Sequence, residues 1–208
     1  MRSAADIRQL FLHRCRTPSR VIGVRGDHDG NSGMNPPPQL RDAAVLVPLV
    51  DRPEGLTVLL TQRTAHLAAH AGQISFPGGG VEPEDSDAEA TALRETEEEI
   101  GLARGHVDLI GRLDTYVTRT GFRITPVVGI IRPPFTLNPD PYEVAEVFEV
   151  PLSFILSPEG RERRSAEYKG ATRYFWVFPY RDRYIWGATA GMLVNLCDVL
   201  LGSGEAAA

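Results

Sequence analysis

The chain has 208 residues, 42% of them hydrophobic and 24% charged, with a formal net charge of −5. That length suits one substantial core rather than two full domains, and the mixture is that of a globular protein rather than a disordered or fibrous one. A negative balance excludes a bulk basic surface for nucleic acid or an anionic membrane, and two cysteines, Cys15 and Cys197, exclude a disulfide framework or a cysteine-rich zinc site.

Ile7, Leu10 and Phe11 recur at helical spacing, so a short amphipathic helix is expected over residues 3–14. The opening MRSAADIRQLFLHRCR sets an aspartate and arginines around a very short apolar core, unlike a secretory signal. No apolar run reaches the roughly 20 residues of a membrane span, and a cytoplasmic setting is expected. Gly, Pro and Asn dominate residues 17–38, including GDHDGNSGMNPPP. The chain therefore divides into a helix with a flexible arm, 1–38, and a catalytic domain, 39–208.

Residues 43–50 and 56–63 are rich in Val and Leu, flank the turn-like DRPEG, and read as paired strands. A loop runs on to Phe76, and a Gly-rich turn follows at residues 78–80. Ala88, Ala92 and Leu93 fall at helical offsets and Gly101 supplies a stop, which predicts a helix over 86–100. Residues 107–117 and 123–131 flank a turn at 118–122 as a hairpin. Strands are expected at 147–150 and 173–178. Ala188, Met192, Leu193, Leu196, Val199 and Leu200 form the stripe of a closing helix that packs on the sheet.

Chemistry concentrates in residues 78–102, GGGVEPEDSDAEATALRETEEEIGL. Glu95, Glu98 and Glu99 stand at i, i+3 and i+4, so on one helix their carboxylates share a face. Carboxylates without cysteine or clustered histidine select hard divalent ions, magnesium, manganese or calcium, and such an ion neutralises diphosphate oxygens and activates water. The bland alternative is a solvated acidic face. Arg94 presents a planar fork suited to orienting a neighbouring glutamate, and Gly78 and Gly79 let the backbone approach the helix with positive φ. The turn lacks the Lys-Ser/Thr of a P-loop and the GxGxxG of a dinucleotide fold.

This segment closely resembles the signature of the Nudix hydrolases, with RETEEEIGL supplying its Arg-Glu-aliphatic-x-Glu-Glu-x-Gly-aliphatic half. The resemblance implies an α/β class fold, a Nudix-type α/β/α sandwich with a mixed β-sheet. It further implies diphosphate hydrolysis with Mg2+ or Mn2+ held by Glu95, Glu98 and Glu99, and catalysis by Glu98, Glu99 and Arg94. Two positions depart from the pattern. Thr96 stands where the family has a core-facing aliphatic residue, and the early acid falls at Ser86 or, preferably, at Asp85 with one extra residue before Arg94.

Upstream, LLTQRTAHLAAHAGQISFPGG at residues 59–79 looks like the motif of the coenzyme A pyrophosphatase branch, and IWGATAGML at 185–193 resembles that branch's closing helix. The motif's usual arginine falls at Ala68, and Thr64 replaces its Ser or Ala. The branch implies coenzyme A or an acyl derivative as substrate, yielding 3′,5′-ADP and a 4′-phosphopantetheine product. Ala68 keeps ADP-ribose, NADH or a related diphosphate open, and a catalytically silent ligand-binding module is the alternative of another class. Arg63 is expected on a phosphate or in a structural ion pair. His66 and His70 are expected in the substrate loop rather than on a metal, with His70 among the substrate contacts beside Gly78 and Gly79. Glu143 and Glu146 compete with the helix glutamates as general base. Tyr174, Phe175 and Trp176 either stack adenine or fill core. The partner expected is a small nucleotide diphosphate, without nucleic acid or membrane, and self-association into a homodimer is left open.

Overall fold

A computed structural model describes residues 3–16, 23–31, 33–67, 70–168 and 170–202. The first half of the chain contains α1 (Ala4–Arg16), β1 (Val24–Gly26), β2 (Arg41–Arg52), β3 (Gly55–Arg63), β4 (Ile74–Ser75), β5 (Gly78–Gly80) and α2 (Ala88–Ile100). The second half adds β6 (Val107–Arg112), β7 (Thr115–Val117), β8 (Phe122–Ile131), β9 (Val144–Pro151), α3 (Leu152–Leu156), β10 (Glu162–Tyr168), β11 (Ala171–Tyr180), β12 (Arg183–Trp186) and α4 (Gly187–Leu201).

Side-chain alternation along β2 explains the layers. Val45, Val47 and Leu49 join one core with Phe11 of α1 and Leu193 and Leu196 of α4. Their neighbours point the other way, Ala44 and Leu46 onto Ala92 of α2, and Val50 into a cluster with Ile100. A strand covered on both faces reads as a continuous apolar run, which is why residues 43–50 show no polar alternation. The main sheet runs β1-β7-β8-β2-β3-β4, with β5 also on β2, β6 on β8 and β9 on β3. β2 pairs with β8, and β1 with β7, in parallel, while β3 pairs with β2 and with β9 antiparallel. The sheet is mixed and carries helices on both faces, as the α/β/α expectation requires. Strands β10, β11 and β12 form a second, antiparallel sheet. Among the described residues no helix is long and apolar enough to cross a membrane.

Three features differ from the sequence reading. Gly78–Gly80 is a short strand on β2 rather than a turn, because glycine lets the chain lie against Ala44 and Val45: a Cβ on Gly78 would stand 2.4 Å from the Ala44 carbonyl oxygen. The strand expected over 107–117 is broken in two, since the Asp114 amide leaves the ladder to donate to Asn195 Oδ1 at 2.8 Å. The segment ahead of residue 39 also contributes to the main core. Ile7 and Phe11 are fully buried there, and Arg25 bridges Asp114 (3.1 Å) and Asp198 of α4 (2.7 Å), beside the β1–β7 pairing.

Candidate active site

Helix α2 sets the phase of the acids. Its N-cap Asp87 accepts from the Ala90 amide at 2.8 Å, and Gly101 closes the helix in a left-handed conformation, donating to the Glu97 carbonyl at 2.9 Å. Thr91, Ala92, Thr96, Glu99 and Ile100 then face inward. Thr96 is fully buried, and its hydroxyl donates to the Ala92 carbonyl at 2.6 Å, so the departure from an aliphatic residue leaves no orphaned donor. Thr96→Val is expected to raise stability by up to about 1 kcal/mol, because the Ala92 carbonyl keeps its helical bond and a methyl suits the core. A lowered melting temperature would show instead that the hydroxyl is needed.

Glu99 is 5% exposed. Its Oε2 accepts from the Gly78 amide at 3.1 Å, and its Oε1 faces Arg63 Nη1 at 3.4 Å. Burial, together with the negative charges of Glu143 and Glu95, outweighs the Gly78 N–H and Arg63 and pushes this carboxyl up to about 7. Burial likewise raises Glu95, with Glu98 and Glu143 opposing Arg94. In the metal-free protein the folded state thus keeps a proton on Glu99, between the ordinary carboxylate range and about 7, that the unfolded chain has released. Stability must fall as pH rises through that window. The metal-free protein is expected to melt several degrees higher at pH 6 than at pH 8, with the difference reduced in Glu99→Gln. An identical pH dependence in the two proteins would remove Glu99 as its source.

Arg94 ties the face together. Nε and Nη2 form a fork onto Asp85 at 3.0 and 2.9 Å, Nη1 reaches Glu95 (2.9 Å) and Glu98 (3.0 Å), and Nη2 also donates to the Gly80 carbonyl at 3.1 Å. That fork, with the Glu82 amide and the Thr91 hydroxyl, holds the Asp85 carboxyl well below the usual range. It is Asp85, rather than the neighbouring Ser86, that Arg94 engages. Gly79 leaves room for Glu95, since a Cβ there would stand 2.5 Å from the Glu95 carboxylate.

A second loop closes the site. The Asn138 and Asp140 amides donate to the Ile100 and Glu99 carbonyls at 2.8 and 2.9 Å, satisfying the end of α2. Glu143 follows, 3.7 Å from Arg63 Nη2. Thr64, nearly buried, pins this loop with its hydroxyl on the Tyr142 carbonyl (2.7 Å) and its amide on the Glu143 carbonyl (2.9 Å). Thr64 registered in the sequence only as a departure from a motif; its tethering role depends on a partner 78 residues away.

The structure thus brings together Arg63, Gly78, Gly79, Asp85, Arg94, Glu95, Glu98, Glu99 and Glu143. Arg63 stands in an ion pair with two acids, its Nε buried without a hydrogen-bond partner. Glu146 is drawn off to Arg183 at 2.5 Å. His70 is exposed and bonded to Gln73 Oε1 at 2.8 Å rather than to the acids, while the His66 ring packs at 4.8 Å on exposed Tyr142. Ala68 lies outside the described residues. Tyr174, Phe175 and Trp176 belong to the second sheet, where Trp176 packs on the core and Phe175 meets Trp186.

The donor set suits a hard divalent ion in kind, being carboxylate oxygens, and burial first, neighbouring acids second, raise Glu95 and Glu99. Among the described residues no three acidic, histidine or cysteine groups stand ready to hold a metal. The reason is local: Arg94 Nη1 engages both Glu95 and Glu98.

The NUDIX domain profile matches residues 40–169. A protein of Photorhabdus laumondii named as an uncharacterized Nudix hydrolase, NudL, is 40% identical over 167 residues, 78% of this chain and 89% of that protein. NudL of Escherichia coli K12, equally uncharacterized, is 43% identical over 157 residues, covering 75% and 81%. Among solved structures, an Ap4A hydrolase of C. elegans in a binary complex has a TM-score of 0.46 at 21% identity, covering 53% of this chain and 80% of its own.

Proposed function

Because this chain belongs to the Nudix hydrolase family, we propose that it cleaves the diphosphate linkage of coenzyme A or an acyl-coenzyme A, giving 3′,5′-ADP and the matching 4′-phosphopantetheine. The observation that carries the chemistry is the buried Glu99 carboxylate, seated between the Gly78 amide and Arg63 beside Glu95 and Glu143. The choice of substrate rests on the motif at residues 59–79 and the IWGATAGML segment. With Ala68 in place of the motif's arginine, ADP-ribose or NADH is the alternative substrate.

Glu95, Glu98 and Glu99 would hold Mg2+ or Mn2+. When bound, that ion supplies charge neutralisation at the diphosphate and a more acidic attacking water. Arg94, anchored by its fork on Asp85, orients Glu95 and Glu98 through Nη1. Arg63, whose ion pair with Glu99 and Glu143 is at 3.4 and 3.7 Å, is placed to turn toward a phosphate oxygen. Glu143 receives the proton of the attacking water as general base, a role Glu146 cannot share while it is bonded to Arg183.

Mass-spectrometric analysis of products tests the reading, with purified protein, Mg2+ or Mn2+, and a panel of coenzyme A, acetyl-coenzyme A, ADP-ribose, NADH and nucleoside triphosphates. Formation of 3′,5′-ADP with phosphopantetheine is expected. Cleavage confined to another diphosphate would replace the substrate but keep the chemistry. No cleavage of any member would favour a ligand-binding module.

A further inference from the structure

Among the described residues, the second sheet ends on an unpaired edge. β10, sequence ERRSAEY, pairs with β11 on one side only, and all seven of its residues are exposed. Exposed edges are ordinarily blunted by charged side chains, by proline or by a covering loop. β10 contains no proline, and its four charges are two of each sign.

Full overlap of β10 with an antiparallel copy of itself places the two-fold axis at Ser165, the middle residue. In that register Arg163 lies across from Glu167 of the second copy, and Glu167 across from its Arg163. Glu162 meets Tyr168 and Arg164 meets Ala166, so no like charges stand directly opposite. The one like-charge diagonal, Arg164 to its own copy, is already balanced, since Glu162 holds Arg164 at 2.7 Å and its guanidinium lies over Tyr184. A strand defended against pairing repels its copy; this pattern attracts it.

Apolar surface reinforces the same edge. The register of β10, β11 and β12 sets Tyr168, Phe175, Tyr184 and Trp186 on one face of the sheet. Tyr168, Tyr184 and Trp186 are 41%, 42% and 42% exposed, with Arg119 over the Tyr168 ring and Arg164 over the Tyr184 ring. Pairing across the axis would extend this face into one six-stranded sheet.

We propose that the protein forms a two-fold homodimer by antiparallel pairing of β10 with β10 of a second copy, with the reciprocal Arg163–Glu167 contacts setting the register. Such an isologous contact closes on itself and uses up both β10 edges. It is independent of the catalytic reading.

The test is sedimentation velocity of the full chain over a concentration series, on the wild type, on R163E, on E167R and on the double variant. Each single reversal turns two opposite-charge pairs into like-charge pairs, and is expected to raise the dimer dissociation constant about tenfold. The double variant restores complementarity and should recover the wild-type constant. Added salt should weaken the wild-type dimer and leave the double variant equally salt-sensitive. Both positions are exposed, so the fold should persist, and unchanged circular dichroism confirms it. A wild type that stays monomeric to 100 micromolar, on the order of a weak transient contact, would overturn the proposal. So would a dimer indifferent to both single reversals, or one lost in a single variant and not recovered in the double.

Discussion

Glu99→Gln is expected to lower kcat roughly 1,000-fold while leaving the protein as stable as the wild type, or more so, above pH 7. The amide preserves shape, and its carbonyl oxygen can still accept from the Gly78 amide 3.1 Å away. What is lost is a negative charge that the fold holds at a cost, because burial pushes the carboxyl up to about 7. A residue kept for structure would show the reverse, a weakened fold with activity falling in step. Glu98→Gln should also cost orders of magnitude in kcat, but with no gain in stability, since Glu98 is exposed and, among the described residues, is bonded to Arg94. Steady-state kinetics at saturating Mn2+ and thermal melts at pH 8 read both quantities. Near-wild-type kcat in both variants would remove the metal-site assignment.

Arg94→Lys should be nearly as damaging for a different reason. Lysine keeps the charge but not the fork, and one ammonium cannot satisfy Asp85, Glu95, Glu98 and the Gly80 carbonyl in the geometry that Nε, Nη1 and Nη2 provide. The Asp85 side chain is 5% exposed and would be left partly unpaired. A lowered melting temperature is expected from loosening this pair, with kcat reduced about 100-fold through misplaced glutamates. Mn2+ titration followed by electron paramagnetic resonance separates the two effects, because misplaced glutamates weaken metal binding even where the protein is folded. Wild-type Mn2+ affinity together with wild-type melting would show that Arg94 organises nothing.

The candidate site was legible where its residues are neighbours in sequence. The i, i+3, i+4 spacing of Glu95, Glu98 and Glu99, the cap and stop of α2, and the Val- and Leu-rich runs of β2 and β3 all express local periodicity. The sequence left undecided whatever depends on distant partners. Glu143 and Glu146 are both plausible acids in PYEVAEVFEV, and only the approach of Arg183 to one and Arg63 to the other tells them apart. The break between β6 and β7 follows from Asn195, eighty-one residues further on. The strand β10 escaped notice because ERRSAEY lacks any apolar alternation; its backbone pairs with β11, not its side chains with a core. Glycines misled in the opposite direction, reading as a turn where their missing side chains allow a strand to press against β2.

The hydrogen bonds that join the 138–140 loop to the end of α2 carry a kinetic meaning. Glu99 offers its side chain to the site and its carbonyl to the Asp140 amide, so one residue belongs to both pieces of machinery. Opening the loop strips the carbonyls that end the helix of their partners, so the lifetime of an irregular segment is tied to that of a helix end. Glu143 and Glu99, the base and a metal ligand of the proposed chemistry, then lose their common anchor together.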